Sequence, residues 1–171
     1  MNRPLLRRIR FATGLFIVGL VLSGATAIPL EWELDTGTRL LGIGSVPAAG
    51  PHAGWAGWLI RVRDALHDTD AKHPFIAYGF DWLAFGHFVI AIAFLWAWRD
   101  PVRNIGLYRF GMTACALVLP YAWLFGGLRG IPPGWRLLDG SFGVLGFIPL
   151  WLCHRWTGRL AVANRGQSSL L

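Results

Sequence analysis

Four long apolar stretches dominate this chain and leave it few ways to fold. The first, Phe11 to Leu30, holds no charged residue, and the second, about 75–98, is interrupted by Asp81 and His87. The third covers about 110–128, and the fourth about 137–153, with Asp139 near its start. A helix needs about 20 apolar residues to cross a hydrocarbon core of ~30 Å. Backbone polar groups in lipid must pair within their own segment, which selects helices. The expectation is an all-α fold, a four-helix transmembrane up-down bundle in which residues 1–171 make a single integral membrane domain. Short links at 99–104 and 131–134 make neighbouring helices antiparallel, with Pro101 breaking the second helix.

Composition agrees with this reading. The chain is 54% hydrophobic and 15% charged, against about 25% charged in an average soluble domain. That excludes a disordered nucleic-acid-binding tail. The formal net charge of +7 looks like general basicity, but its distribution is ordered. Arg3, Arg7, Arg8 and Arg10 precede the first stretch; Arg99, Arg103 and Arg109 fall in the 99–109 loop; Arg155, Arg159 and Arg165 fall in the tail. Arg39, Arg61, Arg63, Lys72, Arg129 and Arg136 are left for the other side, with six of the nine acids. The positive-inside rule then puts both termini in the cytoplasm, with the lipid bilayer as the partner and no nucleic acid. Tryptophans agree: Trp32, Trp82, Trp123 and Trp135 lie near outer ends, and Trp96, Trp98, Trp151 and Trp156 near inner ends, as an aromatic belt requires.

The first stretch also reads as a signal peptide, with a basic start and an Ala25-Thr26-Ala27 cleavage pattern. A retained anchor is the expectation, because the apolar run continues through Pro29 and Leu30. The outer loop, 31–74, begins with Gly37, Gly42, Gly44, Pro47, Gly50 and Pro51, which read as irregular chain. From about 53 to 66 a helical period appears. Trp55, Trp58, Leu59, Val62 and Leu66 share one face, and Arg61, Asp64 and His67 the other. This predicts a short amphipathic helix that lies on the outer leaflet, or caps the bundle, or gates a partner or substrate. Gly19 with Ser23, and Gly140, Gly143 and Gly146, mark expected close helix contacts.

The most distinctive strings are Phe80-Asp81-Trp82-Leu83-Ala84-Phe85-Gly86-His87, Arg99-Asp100-Pro101-Val102-Arg103-Asn104, Gly130-Ile131-Pro132, Trp135-Arg136-Leu137, and Asp139 with Ser141-Phe142-Gly143. Together they resemble a group of small bacterial four-helix integral membrane proteins of uncharacterised role. The resemblance runs from about Pro29 to Leu152. It implies the architecture and carries no activity.

Chemistry is sought first at Asp81. A charged carboxyl at mid-span costs about 2.5–3.5 kcal/mol on insertion scales and normally faces a partner in the bundle. Arg129, Arg136 and Asp139 fall at similar depth, so Asp81, Arg129, Arg136 and Asp139 form the candidate polar cluster, with Glu31 and Glu33 at its rim. Arginine grips a carboxylate bidentately, and such pairs either fix helix register or bind an anionic headgroup, quinone or small substrate. His87 lies six residues on, about 600° around the helix, so it points roughly 120° away from Asp81. It reads as an interhelical hydrogen bond or a proton relay. Haem is not expected, since no second intramembrane histidine exists for it. His52, His67 and His73 match no zinc spacing, and neither a cofactor nor a metal is expected. Cys115 and Cys153 read as reduced thiols.

Two function classes follow. One is a non-catalytic accessory, assembly or lipid-interacting protein, paired with a membrane-protein partner or with itself. The other is a small membrane enzyme or redox protein with an outward Asp/Arg pocket for a lipid, quinone or anionic substrate.

Overall fold

A computed structural model describes residues 3–44 and 54–168, with side chains to residue 164. These residues are all-helical: α1 (Arg3–Ala27), α2 (Leu30–Leu40), α3 (Gly54–Lys72), a 3₁₀ turn (Pro74–Ile76), α4 (Tyr78–Arg99), α5 (Ile105–Leu128) and α6 (Pro133–Ser168). Among the described residues, α1, α4 with its preceding turn, α5 and α6 are long and apolar enough to cross a membrane. An all-α architecture with four such helices fits a helical bundle.

The helix ends differ from those expected. α1 starts at Arg3 and α6 runs on to Ser168, so both basic ends are helical. The 36 residues of α6 extend about 54 Å at 1.5 Å per residue, well beyond a ~30 Å hydrocarbon core.

The first half of the 31–74 loop, expected to be irregular, contains α2. Gly37 costs a helix about 1 kcal/mol, yet several local features offset it. Glu31 and Glu33 occupy the first turn and Arg39 the last, which suits the helix dipole. Its end is closed by Gly42 N–H donating to Arg39 O and Ile43 N–H to Thr38 O, both at 3.1 Å. Gly42 makes this possible at φ 66°, a left-handed value that favours glycine. The helix expected over 53–66 is α3, which continues to Lys72, where Lys72 Nζ lies 2.6 Å from Asp68 Oδ1.

The chain divides into two compact units, Met1–Gly19 with Ile90–Leu171, and Leu20–Val89. In the first, Ile9, Phe94, Tyr108, Leu150 and Cys153 are fully buried. α1 and α6 run antiparallel there: Cys153 Sγ lies 3.6 Å from Ile9 O, while Phe16 packs by Gly146. The expected glycine stripe on α6 forms the seam with α5, where a Cβ on Gly143 would lie 2.5 Å from Cys115 O. The connection between these helices repeats the glycine closure of α2, with Gly130 at φ 70° and Ile131 N–H donating to Gly126 O at 2.8 Å. Pro133 then opens α6, where its missing N–H costs nothing.

At the 99–104 link, Arg10 donates to Trp98 O and Arg99 O, both at 3.2 Å, and lies 5.5 Å from the Trp98 ring. A cation on the last carbonyls of α4 satisfies them and suits the helix dipole.

In the second unit α1 meets α4 at Gly24, where a Cβ would lie 2.9 Å from Phe88 and 3.1 Å from Ala84 O. The sequence pointed instead to Gly19 and Ser23. Gly19 faces open space and Ser23 is exposed.

Candidate functional site

The second unit holds a cavity of about 550 Å³ between α3 and the segments that flank it. Trp58, Val62, Leu66 and Thr69 recur at helical spacing along the lining face of α3; of the stripe read from the sequence, Trp58, Val62 and Leu66 line the cavity and Trp55 and Leu59 do not, whereas Arg61, expected on the other face, does. Ile28, Leu30 and Phe80 supply the opposing apolar surface. The polar groups are few: Glu31, Arg61, Thr69 and Asp70. An apolar chamber with a small number of polar groups is the usual form of a ligand site.

Beside this cavity a polar clasp joins α2 to α3. His67 is flanked by two carboxylates, with Nδ1 against Glu31 and Nε2 3.0 Å from Asp35 Oδ1. Arg63 donates to Asp64 Oδ1 at 3.0 and 2.7 Å, reaches Thr38 Oγ1 at 3.4 Å, and lies 4.0 Å from Asp35. The hydrogen bond that His67 donates to Asp35, with further charge attraction from Asp35 and Glu31, raises the His67 pKa above its ordinary 6.5. The same hydrogen bond lowers the Asp35 pKa below 3.8.

Both shifts follow from contacts made in the folded state, so their signs set a pH window. The His67 contribution is complete below pH 6.5 and is lost as pH rises through the raised value. The Asp35 contribution is complete above 3.8 and is lost as pH falls through the lowered one. The clasp is therefore strongest between pH 3.8 and 6.5. A magnetic-resonance titration of the His67 ring is expected to give a midpoint above 6.5 that falls back in Asp35→Asn. A native midpoint at or below 6.5 contradicts this geometry.

The two halves of the clasp, though not their meeting, were legible in the sequence. Glu31 and Asp35 are four apart, as are Arg63 and His67, which puts each pair on one helix face. The pattern was hidden because 31–41 read as loop, and Glu31 was assigned to the rim of the Asp81 cluster.

The residues of the expected cluster fall in both units. Asp81 belongs to the second unit, and Arg129, Arg136 and Asp139 to the first. Asp81 lies in the first turn of α4, exposed, in a cavity of about 260 Å³ lined by Tyr78, Trp82 and Phe85. A carboxylate in the first turn of a helix is favoured by the dipole, so this one needs no mid-membrane partner. Arg129 caps the end of α5, and Asp139 is exposed on α6.

Arg136 is engaged locally. Its Nε donates to Ile131 O at 2.6 Å, its stem lies on Gly126, and its guanidinium lies by Gly127 and 5.5 Å from the Trp123 ring. It clamps the α5–α6 turn.

His87 donates from Nδ1 to Leu83 O at 2.8 Å, within its own helix. His154 Nε2 accepts from Arg109 Nε at 3.1 Å, and His73 sits edge-on to Phe75. His52 lies outside the described residues. Among the described residues, no group of three His, Cys, Asp or Glu is placed to hold a metal.

Sequence reasoning also missed a buried polar knot in the first unit. Thr13 Oγ1 donates to Ile9 O at 2.8 Å and lies 2.9 Å from Tyr108 OH, where either hydroxyl can be the donor. Cys153 Sγ lies 3.5 Å from Thr13 Oγ1, and Tyr108 OH is also 3.3 Å from Ala97 O. No local signal marks it, because Thr13, Tyr108 and Cys153 come from three helices far apart in the sequence.

Four membrane-length helices define a multi-pass membrane protein. Comparison with known protein families, curated proteins and solved structures gives no match. The function must therefore be argued from the geometry of the chain itself.

Proposed function

We infer that this protein is a non-catalytic, lipid-interacting component of a bacterial inner membrane, with both termini cytoplasmic and the α3 pocket on the outer face. The observation that carries this reading is the 550 Å³ pocket itself, apolar along α3 with Glu31, Arg61 and Asp70 at its polar part. Such a chamber takes the hydrocarbon of an amphiphile, while the charged groups meet its head. α3, amphipathic in the sequence, acts as a cap over the chain it encloses.

The test is photo-crosslinking in nanodiscs that contain a phosphatidylethanolamine with a diazirine on its acyl chain. Labelled peptides are expected from α3, between Trp58 and Thr69, and from Phe80. Ala65→Trp puts an indole into the cavity, since Ala65 lines it, and is expected to cut this labelling several-fold. Labelling of α3 that Ala65→Trp leaves unchanged, or no labelling of α3, overturns the reading.

A further inference from the structure

The first unit carries a second apolar recess, a groove of about 970 Å³ between α1 and α6. Its walls are Leu15 from α1 and Leu145, Ile148 and Leu152 from α6, with Arg3, Arg7 and Arg8 along one margin. No acidic residue lines it.

The charge on α1 is divided by function. Arg10 is used up on the α4 carbonyls and Trp98. Arg3, Arg7 and Arg8 are exposed, and among the described residues they face no carboxylate. Three cations on two successive turns therefore present donors that this unit does not itself consume.

The groove also has a direction. α1 and α6 run antiparallel, with Ile9 opposite Cys153 and Phe16 beside Gly146. The arginine end of α1 thus meets the Trp156 end of α6, and Leu15 meets Leu145. From Arg3 to Leu15 the helix rises about 18 Å, close to one leaflet of a ~30 Å hydrocarbon core.

We propose that this groove binds a diacyl phospholipid with an anionic headgroup, its phosphate held by Arg3, Arg7 and Arg8 and its chains lying along Leu15, Leu145 and Ile148. Charge complementarity selects the occupant: a zwitterionic lipid fills the apolar part equally well but offers the arginines no net charge. Basic sites at the membrane surface favour anionic lipids in this way. The site is separate from the α3 pocket and does not depend on it.

The test measures lipid retained by the purified full chain, by native mass spectrometry, with dioleoyl phosphatidylglycerol and dioleoyl phosphatidylcholine as probes. Phosphatidylglycerol is expected to be retained on the order of tenfold better, with the preference shrinking as salt screens the arginines. The combined change R3Q/R7Q/R8Q is expected to abolish the preference. Because it also removes topology-setting charge, Leu145→Trp serves as the second variant. It keeps every charge, blocks the chain path, and is expected to lower retention of both lipids.

Equal retention of the two lipids by the native protein overturns the proposal. So does lipid retention that Leu145→Trp leaves unchanged, or displacement of the lipid by equimolar inorganic phosphate, which would mark a free-anion site. Retention of a protein in place of lipid would assign the groove to a partner and overturn it as well. A failed α3 crosslink leaves these readouts untouched, so the two readings fail separately.

Discussion

Tyr108→Ala is expected to destabilise the protein by roughly 3 kcal/mol, whereas Tyr108→Phe costs only about 0.6–1.7 kcal/mol. Tyr108 is fully buried, with its ring 6.3 Å from Phe94 and its hydroxyl in the knot with Thr13. Truncating a buried aromatic to alanine typically costs about 3–5 kcal/mol. The lower end applies here because lipid already solvates apolar groups, so cavity and packing losses remain but the transfer from water does not. Removing the hydroxyl alone leaves Thr13 bonded to Ile9 O, and hydrogen bonds between membrane helices average about 0.6 kcal/mol. Unfolding of both variants in detergent, by heat or by a denaturing surfactant, gives the comparison. Equal losses would show that the hydroxyl, rather than the ring, holds this core.

Gly143→Ala is expected to open the α5–α6 seam, at about 3 kcal/mol, the upper end of ordinary overpacking costs. The added methyl would lie 2.5 Å from Cys115 O and 3.1 Å from Val118 Cβ. Neither atom is the end of a flexible side chain, so relief requires one helix to shift against the other. The control is Gly158→Ala on the same helix, which meets nothing within 4 Å. It should stabilise by up to about 1 kcal/mol, the helix-propensity difference between the two residues. Unfolding midpoints that move in opposite directions support the seam. Loss of the same size in both would place the effect in α6 itself and not in its contact with α5.

Legibility in the sequence followed the range of the interaction. Pro101 ends α4 and Pro133 opens α6 because proline acts on its own backbone. The stripe Gly140, Gly143 and Gly146 was visible because a repeat of three marks one helix face. α2 was missed, since Gly37, Gly42 and Gly44 read as breakers, and only Gly42 is used as one. The Asp81 cluster was inferred from depth along each span, whereas the bond of Arg136 to Ile131 O is set by the local α5–α6 turn and has no counterpart in depth. His87 was read as an interhelical hydrogen bond or a proton relay, and the structure shows its Nδ1 bonded to Leu83 O on its own helix.

By itself the sequence determined that four helices are long and apolar enough to cross a membrane, because run length and apolarity are properties of each segment alone. It also determined the uneven spread of cations from which the threading is argued. Tertiary structure alone decided the pairings: Glu31 and Asp35 with His67, Thr13 with Tyr108, and Arg10 with the end of α4. Thr13 and Cys153 stand 140 residues apart. Helices apolar on every side carry no face preference in their pattern, so their rotation is set by packing, which exists only once the chain has folded.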